Sequence, residues 1–338
     1  MPVLQRRSGE DDGKVLASRH LLLVPADTSP LDVEALVYTR YPETVTTDDG
    51  SLRIGRHTVL TGPVVIDAAA ARGARVPEGW SVVYVLDVPT ERGDRPWPGT
   101  SDPDGLYRAF PRGLPVRAEG RAIEMLLALA RRLGGAVRVH SGATVLTPDP
   151  EAAVDVLVHS QYWVEPDTLY QAVAAAHPGT RLAVEGEPWL GPPAGLVDDP
   201  EDEAAAALPI EQRISLHAHA DRMDAEAMAG ELVLDAYAVV VDVAADRDEG
   251  LVEVLVHVAE EPPAPIAGLE WAPRAVTYEV RWAPPDEAEA TLEAPGGAFV
   301  AMRRRAHALV LAVARTVVEA TDGVPVDADG FLLDRYSL

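Results

Sequence analysis

His217, His219 and Asp221 form the sharpest chemical pattern in the sequence, with Asp224 close behind. Side chains two apart on a β-strand share a face, so this spacing sets two imidazoles and a carboxylate on one side. Such a set can hold Zn2+ or another divalent metal, which would make the protein a metal-dependent hydrolase. On a helix the same two histidines point about 200° apart and the set dissolves. The Ala and Met spacing across 215–228 allows that helix, in which case the pair is solvated or serves a structural hydrogen bond.

A second lead lies in a long segment dense in Pro, Gly and Asp, residues 89–117. It carries Trp97, Tyr107, Arg108, Phe110 and Arg112. Aromatic residues and Arg anchor binding surfaces, and loops on rigid scaffolds carry function. The competing account of the same residues is a lid that tucks its aromatics onto its own core.

Other catalytic patterns are missing from the sequence. Lys14 is the sole lysine and no Gly-x-x-x-x-Gly-Lys occurs, so there is no P-loop, kinase lysine or Schiff-base candidate. No Gly-x-Gly-x-x-Gly follows a strand, and no Gly-x-Ser-x-Gly elbow is present. Ser141 and Ser160 adjoin His140 and His159, but neighbours on a strand face opposite ways and make poor nucleophile–base pairs. The chain contains no cysteine, which removes disulfides, thiol catalysis and Cys-ligated metals. No cofactor is expected.

Composition narrows the partners. The chain has 338 residues, 54 acidic against 29 basic, and a formal net charge of −25. That field repels phosphate backbones and anionic lipid, so neither nucleic acid nor membrane is an expected partner. The most compact basic cluster, Arg303 to Arg305, fits the solvated face of a helix. No stretch is long and apolar enough to serve as a signal peptide or span a bilayer, which suggests a cytoplasmic protein. The sole lysine and the complete lack of asparagine fit a high-GC coding bias.

The elements that must position these residues read as a mixture of strands and helices. His20–Pro25 reads as a buried strand. Ser29-Pro30-Leu31-Asp32 opens a helix, with a cap, a proline at the first helical position and an acid at the positive end. Strands are expected at 51–54, 58–66 and 80–88, then a helix over 118–133 whose Ile123, Leu126, Leu127, Ala130 and Leu133 fall at helical spacing. Gly134-Gly135 ends it. Strands near 136–140, 143–147 and 154–159, a helix at 166–176 and a strand at 181–185 follow. The later part shows strands near 236–245, 251–260, 276–282 and 289–293. A helix over 298–320 with Phe299, Met302, Ala306, Leu309, Val310, Val313 and Val317 on one face comes next, then a last strand at 331–333.

This order predicts an α+β protein of two related two-layer sandwich halves, ferredoxin-like or similar, with mostly antiparallel sheets and helices on one face. The halves are expected at 19–187 and 210–338, after a disordered tail at 1–18 and around an acidic, Pro-rich linker at 188–209. An internal duplication is suggested by a recurring order: strand, long helix, two glycines seven residues apart (Gly135 and Gly142, Gly323 and Gly330), strand.

Two resemblances bear on identity. The stretch from Leu106 to Gly120, the run Ala130 to Gly135 and the closing Asp327 to Asp334 resemble a group of uncharacterised proteins from high-GC Gram-positive bacteria. That resemblance implies no activity and brings no functional residues. The His217-x-His219 pair resembles the metal site of amidohydrolases. That family sets the pair on its first barrel strand and draws further ligands from later ones. Here the pair lies two-thirds along the chain, and only His257 and His307 follow. The sequence therefore favours a non-enzymatic binding or interaction protein using the 89–117 loop, with a protein or small molecule as partner and a homo-oligomer as an open state. The alternative is the hydrolase centred on His217 and His219.

Overall fold

The computed structural model describes residues 9–97, 101–140, 144–183, 236–244, 248–259, 263–336 and 338. His217, His219, Asp221 and the acidic stretch at 188–209 lie outside the described residues.

The first sheet is built round β1 (His20–Val24), whose five residues are all buried. A run of His-Leu-Leu-Leu-Val has no polar face, so the strand needs cover on both sides. It pairs with β5 (Val82–Asp87) and β6 (Ala136–Arg138), both antiparallel. The sheet continues through β4 (Thr58–Val65), β3 (Leu52–Gly55) and β2 (Val45–Thr46) on one side and β7 (Val145–Leu146) on the other. Leu22 and Val24 face one core together with Tyr84, Leu86 and Val137. Leu21 and Leu23 face another with Val83 and Ala136.

α5 (Arg117–Leu133) closes the first of these cores with Ile123, Leu126, Leu127 and Ala130, assisted by Val33 and Val37 of α2 (Pro30–Arg40). Ser29 caps α2 by accepting the Leu31 amide at 3.3 Å. Gly134 ends α5 at φ +63, the left-handed conformation glycine enters without steric penalty. Gly135 then passes so near β1 that a β-carbon on it would sit 2.4 Å from the Leu23 carbonyl oxygen.

The second core is covered by α1 (Gly9–Ala17) and α3 (Ala68–Ala74). Asp67 starts α3 by accepting the Ala69 and Ala70 amides at 2.9 and 2.8 Å. α1 overturns the expectation of a disordered tail through residue 18. Its Gly13 meets Gly73 of α3 with no room for a β-carbon, and Leu16 is buried. Arg138, fully buried on β6, donates to the carbonyls of Leu16 and Ala17 at the C-terminal end of α1. A cation at that end meets the terminal carbonyls, of which Leu16's also accepts the Arg19 amide at 3.2 Å, and answers the helix dipole. Burial and the nearby Arg75 lower the Arg138 pKa to about 10, so it keeps its charge at neutral pH.

The second sheet runs β13 (Val324–Asp327), β8 (Val156–Ser160), β12 (Val276–Ala283), β11 (Leu251–Val258), β10 (Ala236–Asp242) and β9 (Arg181–Ala183), with every pair antiparallel. Its valines alternate inward, as in Val252, Val254 and Val256 of β11. They meet α6 (Pro166–Ala176) and the long α8 (Gly297–Thr321), which buries Phe299, Ala306, Val310, Val313 and Val317.

The chain is thus α+β with antiparallel sheets, as the sequence implies. The second sheet carries its helices on one face. The first carries them on both, because β1 is apolar on both. The sheets divide the chain between β7 and β8, ahead of the expected boundary at 187: β8, α6 and β9 belong to the second sheet, where Val158 sits opposite Tyr278. Helix, glycine and strand follow one another in both parts, but β6 lies inside its sheet and β13 at an edge. In place of the strand expected at 289–293 stands a short helix, α7 (Glu287–Ala290), capped by Asp286 on the Glu289 amide at 3.1 Å. Leu332 makes an isolated bridge to Val326 rather than a strand. Beside it, Phe331 crosses to the first sheet and is buried in its core, with the Arg40 guanidinium 5.6 Å from the ring centroid.

Lys14, exposed on α1, is the only site for a lysine-specific protease. If Arg138 pins α1, R138M should speed cleavage after Lys14 by about 10-fold or more, because local opening sets proteolytic access. Equal cleavage rates for wild type and variant would show that α1 is held by other contacts.

Candidate functional site

Within the 89–117 segment, the described residues 89–97 and 101–117 form a strap zipped along its two arms. The Gly93 amide donates to the Leu114 carbonyl at 2.9 Å, Leu114 to Asp94 at 2.9 Å, and Val116 to Glu91 at 3.0 Å. At its turn lies the four-residue helix α4 (Leu106–Ala109). Phe110 follows it and is 2% exposed, packed in the first core. The Arg92 guanidinium lies 4.5 Å from the centre of its ring, a cation–π contact.

Beneath the root of this strap, three elements bring together His20 at the start of β1, Glu119 in the first turn of α5, and His140 just past β6. The Glu119 side chain has no solvent exposure, and its charge is answered on both oxygens. Oε1 lies 3.0 Å from His20 Nε2. Oε2 accepts the Glu91 amide at 2.8 Å and meets Arg92 Nη1 at 2.6 Å. Burial alone would raise the Glu119 pKa. The His20 hydrogen bond, the Glu91 amide and the Arg92 charge outweigh it and hold the group below its usual 4.5. The stability this supplies is in place above about pH 4.5 and is lost as pH falls through the lower folded value.

His20 has no nitrogen to spare. Its Nδ1 faces the His140 amide at 3.4 Å, so Nε2 carries the proton that Glu119 accepts. In that arrangement it positions groups rather than moving protons. His140 differs. Its ring stands edge-on to His20 with centroids 5.2 Å apart, and neither ring nitrogen has a protein partner among the described residues. Burial, then His20 and Arg92, lower its pKa, leaving a neutral imidazole with a free lone pair at pH 7.

The five residues the sequence singles out in the strap do not converge. Phe110 points inward, Trp97 is 77% exposed, and Arg112 is exposed. Tyr107 is half-buried, and its amide donates to Asp102 Oδ2 at 2.8 Å. Arg108 reaches the second sheet's layer and pairs with Glu293 through Nη2 at 2.5 Å. Of the residues that do meet, the sequence marks only His140, and only beside Ser141; His20, Arg92 and Glu119 carry no site signal in their spacing. One signal was present: Glu119 occupies the apolar stripe of α5, in register with Ile123, Leu126 and Ala130.

The strap also walls a cleft between the two sheets. Arg131, in the last turn of α5 and 10% exposed, pairs through Nη2 with Asp104 of the strap at 2.7 Å and through Nη1 with Asp329 in the turn after β13. Two concavities of about 360 and 310 Å3 share Arg131, Val154, Asp155 and Asp329 in their walls. One extends to His307 and Leu333, the other to Trp282 and Phe299. Asp155 accepts the Trp282 amide at 2.9 Å through Oδ1 and pairs with no cation among the described residues. Its pKa is raised by burial, against the pull of that amide.

Comparison of the chain with protein-family models, with curated proteins and with solved structures finds no match. Among the described residues, no helix is long and apolar enough to cross a membrane.

One further buried imidazole is separate from both places. His159 on β8 bonds Thr277 Oγ1 through Nδ1 at 3.1 Å, and its buried Nε2 has no partner among the described residues. Burial, then the charge of His257, lowers its pKa from 6.5 to about 4. A depressed histidine means that the unfolded chain binds the extra proton, so stability is full above pH 6.5 and falls towards pH 4, by about 3 kcal/mol for this group. Urea denaturation at pH 7 and pH 4.5 should show H159Q losing markedly less stability on acidification than wild type. An identical loss would contradict the assignment.

Proposed function

We propose that the protein is a non-enzymatic binding protein whose ligand is a small amine-bearing molecule held in the cleft between the sheets, with the 89–117 strap as one wall. The observation that carries this reading is the double ion pair of Arg131. It ties the strap to the second sheet's closing turn at the wall common to both concavities. The charge there is already paired, so it shapes the cleft rather than attracting an anion. The other polar side chains are mostly carboxylates, with Arg132 and His307 beside one arm and Arg303, paired with Asp149, beside the other. Asp155, Asp327 and Asp329 line one arm, and Asp104, Asp149 and Glu293 belong to the other. Among the described residues Asp155 is the lining acid that pairs with no cation, placed beside apolar Val154, where a ligand ammonium would meet a carboxylate in surroundings that screen it poorly. Arg132, 3.5 Å from Asp327, is the exposed cation at the rim.

The strap contributes Pro103 and Asp104 to this wall and is braced by Arg108 on Glu293. Its aromatic Phe110 anchors it from within, so the strap acts as scaffold for the cleft and presents Trp97 and Arg112 outward.

Calorimetric titration of the full chain with small amines (putrescine, agmatine, arginine) and matched carboxylates tests this. A saturable amine site should appear, weakened about 10-fold or more in D155N, the cost of one charge-assisted contact. Absence of any amine binding, or binding equal in D155N, would refute the proposal.

A further inference from the structure

We infer that His20, Glu119 and His140 form a binding site for a first-row divalent transition metal, distinct from the cleft and independent of the reading given to it. One ligand atom from each residue lies within 4.8 Å of the other two. Two imidazole nitrogens and a carboxylate oxygen are a donor set that Zn2+ and its neighbours favour, and the chain has no thiolate to compete. Bonds of about 2.0–2.2 Å to such donors put ligand atoms roughly 3.3 Å apart in a tetrahedral site. The His20–Glu119 pair, at 3.0 Å, is near that spacing already. His140 supplies the third donor and is the free one, half-exposed at the end of β6.

The surroundings fit the carboxylate for this use. Glu91 and Arg92 hold Oε2 and fix the group, leaving Oε1 towards His20. Ligating carboxylates are commonly oriented through such outer hydrogen bonds. Metal binding would replace the Nε2–H···Oε1 hydrogen bond by coordinate bonds to both atoms. The displaced proton moves to His20 Nδ1, whose contact with the His140 amide is long at 3.4 Å and is given up. Glu119 is already ionised and His140 already neutral, so neither has a proton to lose. The Arg92 charge opposes the metal and keeps the affinity below that of the same triad without it.

The test is competition between the chelator-stripped full chain and a chromophoric chelator for Zn2+. Wild type should take up one equivalent at this site. H140Q should bind at least about 10-fold more weakly with an unchanged melting temperature, since the His140 ring nitrogens make no protein contact among the described residues. E119Q is the second variant and should also weaken binding. H217A/H219A should bind as wild type. No Zn2+ uptake at micromolar metal, uptake unaffected by H140Q, or uptake abolished by H217A/H219A would each overturn the inference.

Discussion

A carboxylate without solvent exposure is tolerable only if other groups replace water around it, and Glu119 sets that demand at the root of the strap. Its two oxygens take His20 from β1 and Arg92 and the Glu91 amide from the strap. Losing one partner of such a buried pair costs about 3–5 kcal/mol, because the other charge is left stranded. That magnitude is comparable with burying one or two large apolar side chains. A segment with few apolar residues of its own is thereby fastened to a helix and a sheet.

Arg131 repeats the device at the other end of the same helix. Glu119 and Arg131 are twelve residues apart on α5, about 18 Å along its axis. One grips the root of the strap, the other grips Asp104 near its turn and Asp329 of the second sheet's layer. α5 therefore does more than close a core with Ile123, Leu126 and Leu127. It spaces two buried charges that hold the strap flat, and so fixes one wall of the cleft. Phe331, inserted into the first core beneath Arg40, holds the opposing wall in register.

Local signals made the elements legible. The Ser29 cap, the apolar stripe of α5, the left-handed Gly134 and the inward valines of β10 to β12 each act over a few residues, and each was readable. What failed was non-local. Nothing within Val156–Ser160 says that it pairs with β12 more than a hundred residues later, so the boundary was sought at the Pro-rich stretch instead. α1 looked like a polar tail because its support comes from Gly73 and Arg138, distant in sequence. The strand expected at 289–293 lost to Asp286, whose cap turns an acidic segment into helix. The site residues were hidden for the same reason: His20 read as the edge of an apolar strand, Glu119 as one acid among 54. Their meaning comes from convergence that no spacing records.

The buried charge of Glu119 orders the strap. Hydrogen exchange of the full chain and E119Q, followed by mass spectrometry across residues 89–117, tests it most directly. The amides of Gly93, Leu114 and Val116 should lose protection in E119Q while those of β1 and β5 keep theirs. Unchanged protection of the strap amides in a folded E119Q protein would show that the strap is held by something else.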